Sequence, residues 1–332
     1  MKFYLIVPPV QGGVSDFAKV LSSKLLTKHD VRILVWEQRM TESQLDEVTD
    51  ADCVYLQYSG YGFSMRGAPL WLLLALRKRR HRIKHFCVFF HELYAFGPIW
   101  SSAFWLSPLQ RYIAARLARL SDAWLTNRQA SATWLNTHSD LRPYTVLPVF
   151  SNVGEASACP VAKKRCVVIF GGASLRAATY HAAGPALFRW AAANSMSVHD
   201  VGPSLQDAKL AELLVAQGVT SYGIQSPGVI SALLATSQYG VLAYHPEYLA
   251  KSGVLAAYCA HGVVPVLVND GSCELEGLIA GVNYLQGLPS GLIDDTSRAE
   301  LAQAAWSWYQ PHRIRAHADA FLTQLDLLEC PQ

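Results

Sequence analysis

The chain has 332 residues, 51% of them hydrophobic and 16% charged, with a formal net charge of +3; this is the composition of a compact soluble protein with room for two ordinary domains. Its most apolar helix-like stretch, "PLWLLLAL" at residues 69–76, falls far short of the roughly 20 residues needed to cross a bilayer. The run after Met1 is too short for a secretory signal, so neither a membrane span nor a leader is expected.

The charge is unevenly spread. Lys and Arg outnumber Asp and Glu by 18 to 11 in residues 1–150 and are outnumbered by 10 to 14 in the rest. The densest basic part, "LRKRRHRIKH" at residues 76–85, is either a solvated helix end or a face for nucleic acid, anionic lipid or an acidic ligand. Seven cysteines occur without a Cys-x-x-Cys pair. Cys53, Cys87 and Cys166 sit in apolar runs, which suits buried thiols in a reducing cytoplasm.

In chain order, short runs rich in Val, Ile, Leu, Phe and Tyr fall at residues 3–8, 31–36, 53–58, 85–90, 123–127 and 144–149. Near-continuous apolarity over so few residues marks strands buried on both faces. Helical patterns lie between them, such as Val14, Phe17, Leu21 and Leu25 at steps of three and four. The same rhythm restarts at residues 166–172, 198–202, 219–224, 239–244 and 263–268. Strand alternating with helix predicts two doubly wound parallel sheets in series. "SNVGEASACPVAKK" (151–164) reads as the linker between a first domain at 1–150 and a second at 165–310. Residues from about 294 onward read as two helices broken near Pro311, the later one (311–332) free to pack back on the first domain.

In open α/β sheets ligands bind beyond the carboxyl ends of the strands. "PPVQGGVSDF" follows the first strand, and Gly12-Gly13 leads into a helix whose free N–H groups suit an anion. His91 and Glu92 follow the fourth strand. Ser226 and Pro227 form a helix-start pair after Ile224. "KSGVLAAYCAHG" opens a helix with Lys251-Ser252-Gly253 and fills it with small residues, so that it can approach its sheet closely with its positive end free. No metal-ligand spacing and no Ser nucleophile signature is present.

"QGGVSDFAKVLSSKLL", the "HE" after the fourth strand, and "VGPS" followed by residues 219–267 resemble the GT-B glycosyltransferases, the retaining family 4 group above all. The resemblance implies two Rossmann-like domains facing a cleft, with the acceptor held by the first and the donor by the second. It implies transfer of a hexosyl unit from a UDP- or GDP-sugar to a glycan or lipid-linked acceptor, with retention and without metal or other cofactor. On this resemblance Gly12 and Gly13 lie at the cleft, and His91 and Glu247 contact the donor sugar. Arg176, Lys251, Ser252 and Gly253 hold the phosphates, and Ile224 lies near the base. Two departures stand out. Ala257 occupies the position of the family's ribose-binding Glu, and the usual Arg and Lys after the second domain's first strand are not in register. A non-catalytic GT-B-like protein that binds a nucleotide or glycan is the competing class. The Trp-rich basic part of the first domain adds an expected contact with an anionic membrane at its cytoplasmic face, and no nucleic-acid recognition module is visible.

Overall fold

The computed structural model describes all residues except Gln11, Phe96, Leu141, Val161, Ala162, Ser272, Cys273, Leu292 and 330–332. In chain order its elements are β1 (Lys2–Val7), α1 (Gly13–Leu25), β2 (Asp30–Val35), α2 (Glu42–Asp46), β3 (Cys53–Tyr58), α3 (Gly60–Phe63), α4 (Leu70–Arg79), β4 (His85–Phe90), α5 (Ser102–Leu120), β5 (Ala123–Thr126), α6 (Gln129–His138) and β6 (Tyr144–Val146). There follow β7 (Lys164–Phe170), α7 (Ala173–Ala193), β8 (Ser197–Val201), α8 (Ala208–Ala216), β9 (Thr220–Ser221), α9 (Pro227–Thr236), β10 (Ser237–Leu242), α10 (Gly253–Ala260), β11 (Val264–Leu267), β12 (Leu285–Gln286), α11 (Asp295–Tyr309) and α12 (Ile314–Glu329).

The chain forms two compact units: Met1–Pro148 joined by the chain from Ile314 onward, and Val149–Arg313. Each holds one six-stranded sheet, ordered β2-β1-β3-β4-β5-β6 in unit 1 and β12-β11-β10-β7-β8-β9 in unit 2. Every strand pairing is parallel, so the two expected doubly wound sheets are both present. Two-residue β12 is the one strand that apolar patterning does not announce.

In unit 1 alternate side chains of each strand serve opposite layers. Tyr4, Ile6, Val54, Leu56, Phe86 and Val88 pack with Leu72, Leu76, Ile113, Leu117 and Leu135 of α4, α5 and α6. On the other face α12 returns to the sheet, its Phe321 ring 5.4 Å from Phe3 and stacked 4.2 Å from Tyr55. His317 of α12 donates from Nε2 to the Pro148 carbonyl at 2.8 Å. Burial holds this imidazole at a pKa of about 4 and therefore neutral.

The basic stretch is largely spent inside the fold. Lys78 pairs with Glu42, buried Arg79 with Glu42 and Asp46, Arg80 with Asp122 and Arg82 with Asp46. These four cations tie α4 and the turn after it to α2 and to the start of β5, so this part of the stretch has an internal role, while Arg77 at its start takes no part in these pairs.

Unit 2 packs Val167, Ile169, Val241, Val264 and Val266 of its sheet against Leu187 and Trp190 of α7 and Leu301 of α11. On α10, Ala256, Ala257 and Ala260 are 1% exposed, and Tyr258 donates its hydroxyl to the carbonyls of Val168 and Val241, each at 3.2 Å. Gly240 makes that approach possible, because a Cβ there would lie 2.6 Å from the Tyr258 ring. The stretch expected as a linker lies along this unit. The Val149 N–H bonds Ala250 O at 2.9 Å and the Ala156 N–H bonds Ala260 O at 3.1 Å, while Val161 and Ala162 fall outside the described residues. Cys53, Cys87 and Cys166 are buried as expected, and among the described residues no helix is long and apolar enough to cross a membrane.

Candidate functional site

The order of the unit 2 sheet reverses between β7 and β10, and such a switch point is where an open parallel sheet leaves a crevice for ligands. Beyond it the chain makes a turn of several layers. The Ala243 N–H at the end of β10 bonds Thr179 Oγ1 of α7 at 2.9 Å. His245 then starts a 3-10 turn over Pro246–Lys251, its Nδ1 accepting from the Glu247 N–H at 3.3 Å; Pro246 suits this first position, where no N–H is needed. Ser252 is the N-cap of α10, its hydroxyl accepting from the Leu255 N–H at 3.1 Å.

The Lys-Ser-Gly sequence is thereby accounted for. Ser252 satisfies the third N–H of α10, and the N–H groups of Gly253 and Val254 precede the helix's first internal bond. An added Cβ at Gly253 would meet no heavy atom within 4 Å. Lys251 ends the 3-10 turn one residue before the cap, its Nζ 5.6 Å from the centre of the Tyr248 ring. A cavity of about 370 Å³ opens beside it, lined by Ala178 and Ala182 of α7, by Tyr244, His245, Tyr248 and Lys251 of the turn, and by Asn269 after β11. The Asn269 side-chain oxygen is buried with no hydrogen-bond partner. One cation and an acceptor-bearing amide thus border the same space, and the cation stands two residues before the first residue of α10, a combination suited to a polar ligand that carries both a negative charge and a hydrogen-bond donor.

The other expected residues separate into several places. Glu247 is exposed on the same turn but does not line the cavity. Ile224 is 78% exposed after β9, and Ser226 begins α9 without a side-chain cap bond. Gly12 and Gly13 stand at the start of α1 in unit 1 with open space where a Cβ would be. Asp16 in the first turn of α1 already answers that helix's positive end.

Two of the expected residues lie in the interior. Arg176 is 1% exposed on the first turn of α7. It donates from Nε to Gly171 O at 3.2 Å and from its terminal nitrogens to Asp200 and to Pro203 O, and Asp200 also accepts from the Tyr180 hydroxyl at 2.9 Å. All of these partners are internal, so Arg176 braces the strand ends from within the fold. Gly202 yields room for it, since a Cβ there would stand 2.7 Å from Arg176 Nε. His91 is only 7% exposed. Its Nε2 meets Gln57 Oε1 at 2.9 Å, and its ring lies 4.9 Å from Phe17 and 4.5 Å from Phe89. Ala257, which the resemblance sets at the ribose-binding position, is 1% exposed.

Reading of the sequence missed Ala178, Ala182, Tyr244, His245, Tyr248 and Asn269. Asn269 was within reach, because it directly follows the apolar run 263–268 at the same strand-end rim. The α7 alanines carried no signal of their own. Among the described residues no group of three or more His, Cys, Asp or Glu side chains comes together as a metal would require.

Two Rossmann-like units with parallel sheets of this order define the GT-B fold, and solved structures bear this out. Anabaena HepE, determined in complex with UDP and glucose, matches with a TM-score of 0.65 at 14% identity, over 98% of this chain and 99% of that one. A glycosyltransferase from Rickettsia africae ESF-5 matches with a TM-score of 0.63 at 12% identity, over 98% of each chain. A UDP-N-acetylglucosamine 2-epimerase from Listeria monocytogenes, described as putative, matches with a TM-score of 0.57 at 11% identity, over 100% of this chain and 97% of that one. At such identities the likeness is one of fold. No protein-family model and no curated protein matches the sequence.

Proposed function

We propose that the protein is a glycosyltransferase that moves a hexosyl unit from a nucleoside diphosphate sugar, UDP- or GDP-linked, to a glycan or lipid-linked acceptor. The observation that carries this reading is Lys251, which lines a unit 2 cavity and directly precedes Ser252, the N-cap of α10. The presence of UDP and glucose in the similarly folded HepE supports it. Breaking a glycosyl–phosphate bond leaves a diphosphate whose charge must be stabilised as it develops. The Lys251 ammonium and the N–H groups of Gly253 and Val254 supply that stabilisation, and Ser252 holds the helix start in place. With Arg176 spent in the interior, Lys251 is the cation of the site; it is the only Lys or Arg between Lys209 and Arg298. Glu247 is assigned to the sugar hydroxyls, Ile224 to the base, and Gly12 and Gly13 to the acceptor side. Retention of configuration and transfer without a divalent ion complete the proposal.

Thermal unfolding in chelator with UDP, GDP and uridine tests the site. A rise in midpoint with one diphosphate and none with uridine is expected, and no response to either diphosphate rejects the reading. The buried Ala257, which removes a ribose contact, favours a second reading as a non-catalytic binder of the same ligands. Phosphorus NMR of a UDP- and GDP-sugar panel separates the two: release of nucleoside diphosphate marks the transferase, and binding without release marks the binder.

A further inference from the structure

The α4–α5 side of unit 1 presents an apolar surface that the fold leaves uncovered. Ile99, Trp100 and Trp105, at and before the first turn of α5, are 63, 84 and 72% exposed, far beyond the isolated exposed apolar residue that any surface carries. Along α5, Trp105, Tyr112 and Arg116 recur at steps of seven and four, and along α4, Leu70, Leu74 and Arg77 recur at steps of four and three, so each set shares one helix face. Between the helices runs a groove of about 200 Å³ lined by Leu70, Leu74, Arg77, Tyr112, Arg116 and Arg119.

The groove's cations, Arg77 at the start of the basic stretch among them, differ from the cations that follow Arg77 in that stretch. Arg119 bonds the His138 carbonyl at 2.9 Å and approaches Asp140 at 3.7 Å. Among the described residues Arg77 and Arg116 have no carboxylate partner, whereas Lys78, Arg79, Arg80 and Arg82 are all paired. Two unneutralised guanidiniums set in an apolar, Trp-flanked groove ask for a partner that is anionic and apolar at once. Anionic lipid is that partner, with its phosphate on the arginines and its acyl boundary under the aromatic rings. A second copy of the chain packed by a two-fold axis would set this cationic patch against the same cationic patch. Nucleic acid would answer the arginines and leave Leu70, Leu74 and Ile99 in water.

We infer that unit 1 docks by its α4–α5 face on an anionic bilayer, Ile99, Trp100 and Trp105 entering the headgroup boundary and Arg77 and Arg116 holding lipid phosphates. This goes beyond the proposed sugar transfer and stands without it.

The test is cosedimentation of the full chain with vesicles of phosphatidylcholine, with and without phosphatidylglycerol. Binding only to the anionic vesicles, falling with salt, is expected. The paired substitution Arg77→Glu and Arg116→Glu lowers the partition by at least about 25-fold, about fivefold for each cation lost from the surface. Trp100→Ser with Trp105→Ser lowers it independently and removes the lipid-induced blue shift of tryptophan fluorescence. All four positions are exposed, so both variants keep the wild-type thermal midpoint. Equal binding to neutral and anionic vesicles, no binding to either, or full binding by the arginine variant overturns the inference. So does a lipid-free dimer that the arginine substitutions dissociate.

Discussion

The carboxyl edges of the two sheets are built from the same parts, a buried parallel strand followed by a polar turn, and they end in opposite states. After β4 in unit 1, His91 is shut between Phe17 and Phe89 and tied to Gln57. The α12 imidazole of His317 adds a third ring 5.4 Å from Phe17. After β10 in unit 2, the turn carrying Lys251 borders a cavity of about 370 Å³. Within unit 2 the same contrast separates Arg176, which is consumed by Asp200 and two carbonyls, from Lys251. A polar residue at a strand end is a candidate for chemistry by position, and the neighbouring elements then decide whether it faces a ligand or the interior.

That contrast can be broken by substitution, and the largest effect falls on the interior side. Arg176→Ala leaves the Asp200 carboxylate buried without its partner, so a loss of about 3 to 5 kcal/mol in urea unfolding is expected. Retained stability with weakened diphosphate binding would return Arg176 to the ligand site. Next comes the dependence on pH. The unfolded chain binds a proton at His317 near 6.5, and the folded chain resists it until about 4. Stability is therefore full above 6.5 and lost as the pH falls toward 4, by up to about 3 kcal/mol from this group. His29, His199 and His261 are lowered by burial too and add in the same direction. Urea midpoints that stay level across this window would refute it.

On the open side, Lys251→Ala is expected to weaken nucleoside diphosphate binding by about 1.5 to 3 kcal/mol, with little change for the bare nucleoside or in unfolding midpoint. Isothermal titration reads the difference, and equal affinities would remove Lys251 from the site. The smallest effect belongs to His91→Phe, which keeps the aromatic packing and loses the bond to Gln57. About 1 kcal/mol of stability and no change in nucleotide affinity are expected. A large fall in transfer rate at unchanged stability would restore His91 to the chemistry.

The parallel sheets were legible because a strand buried on both faces announces itself within six residues, and the start of α10 was legible because Ser252 and Gly253 act on their own backbone. What could not be read was pairing across distance. The acids that neutralise Arg79, Arg80 and Arg82 lie 33 to 42 positions away in the chain, and Gln57 reaches His91 from a neighbouring strand 34 positions away. The open or closed state of each strand-end turn is likewise set by distant helices, so local pattern places the candidate site and long-range packing selects its residues.

The return of α12 to unit 1 also bears on how the molecule is assembled. Phe321 and Leu325 cover one face of the first sheet, yet the ribosome must add all 165 residues of Val149–Arg313 before it reaches them. At about 5 to 20 residues per second that interval is on the order of 10 to 30 s. During it Phe3 and Tyr55 wait without their cover, and at its end the second unit has its whole sequence while the first does not. The usual order of synthesis is thereby inverted: the unit that starts first is completed last. A fragment ending at Pro148 would be born with part of one sheet face bare, prone to capture by chaperones and to aggregation.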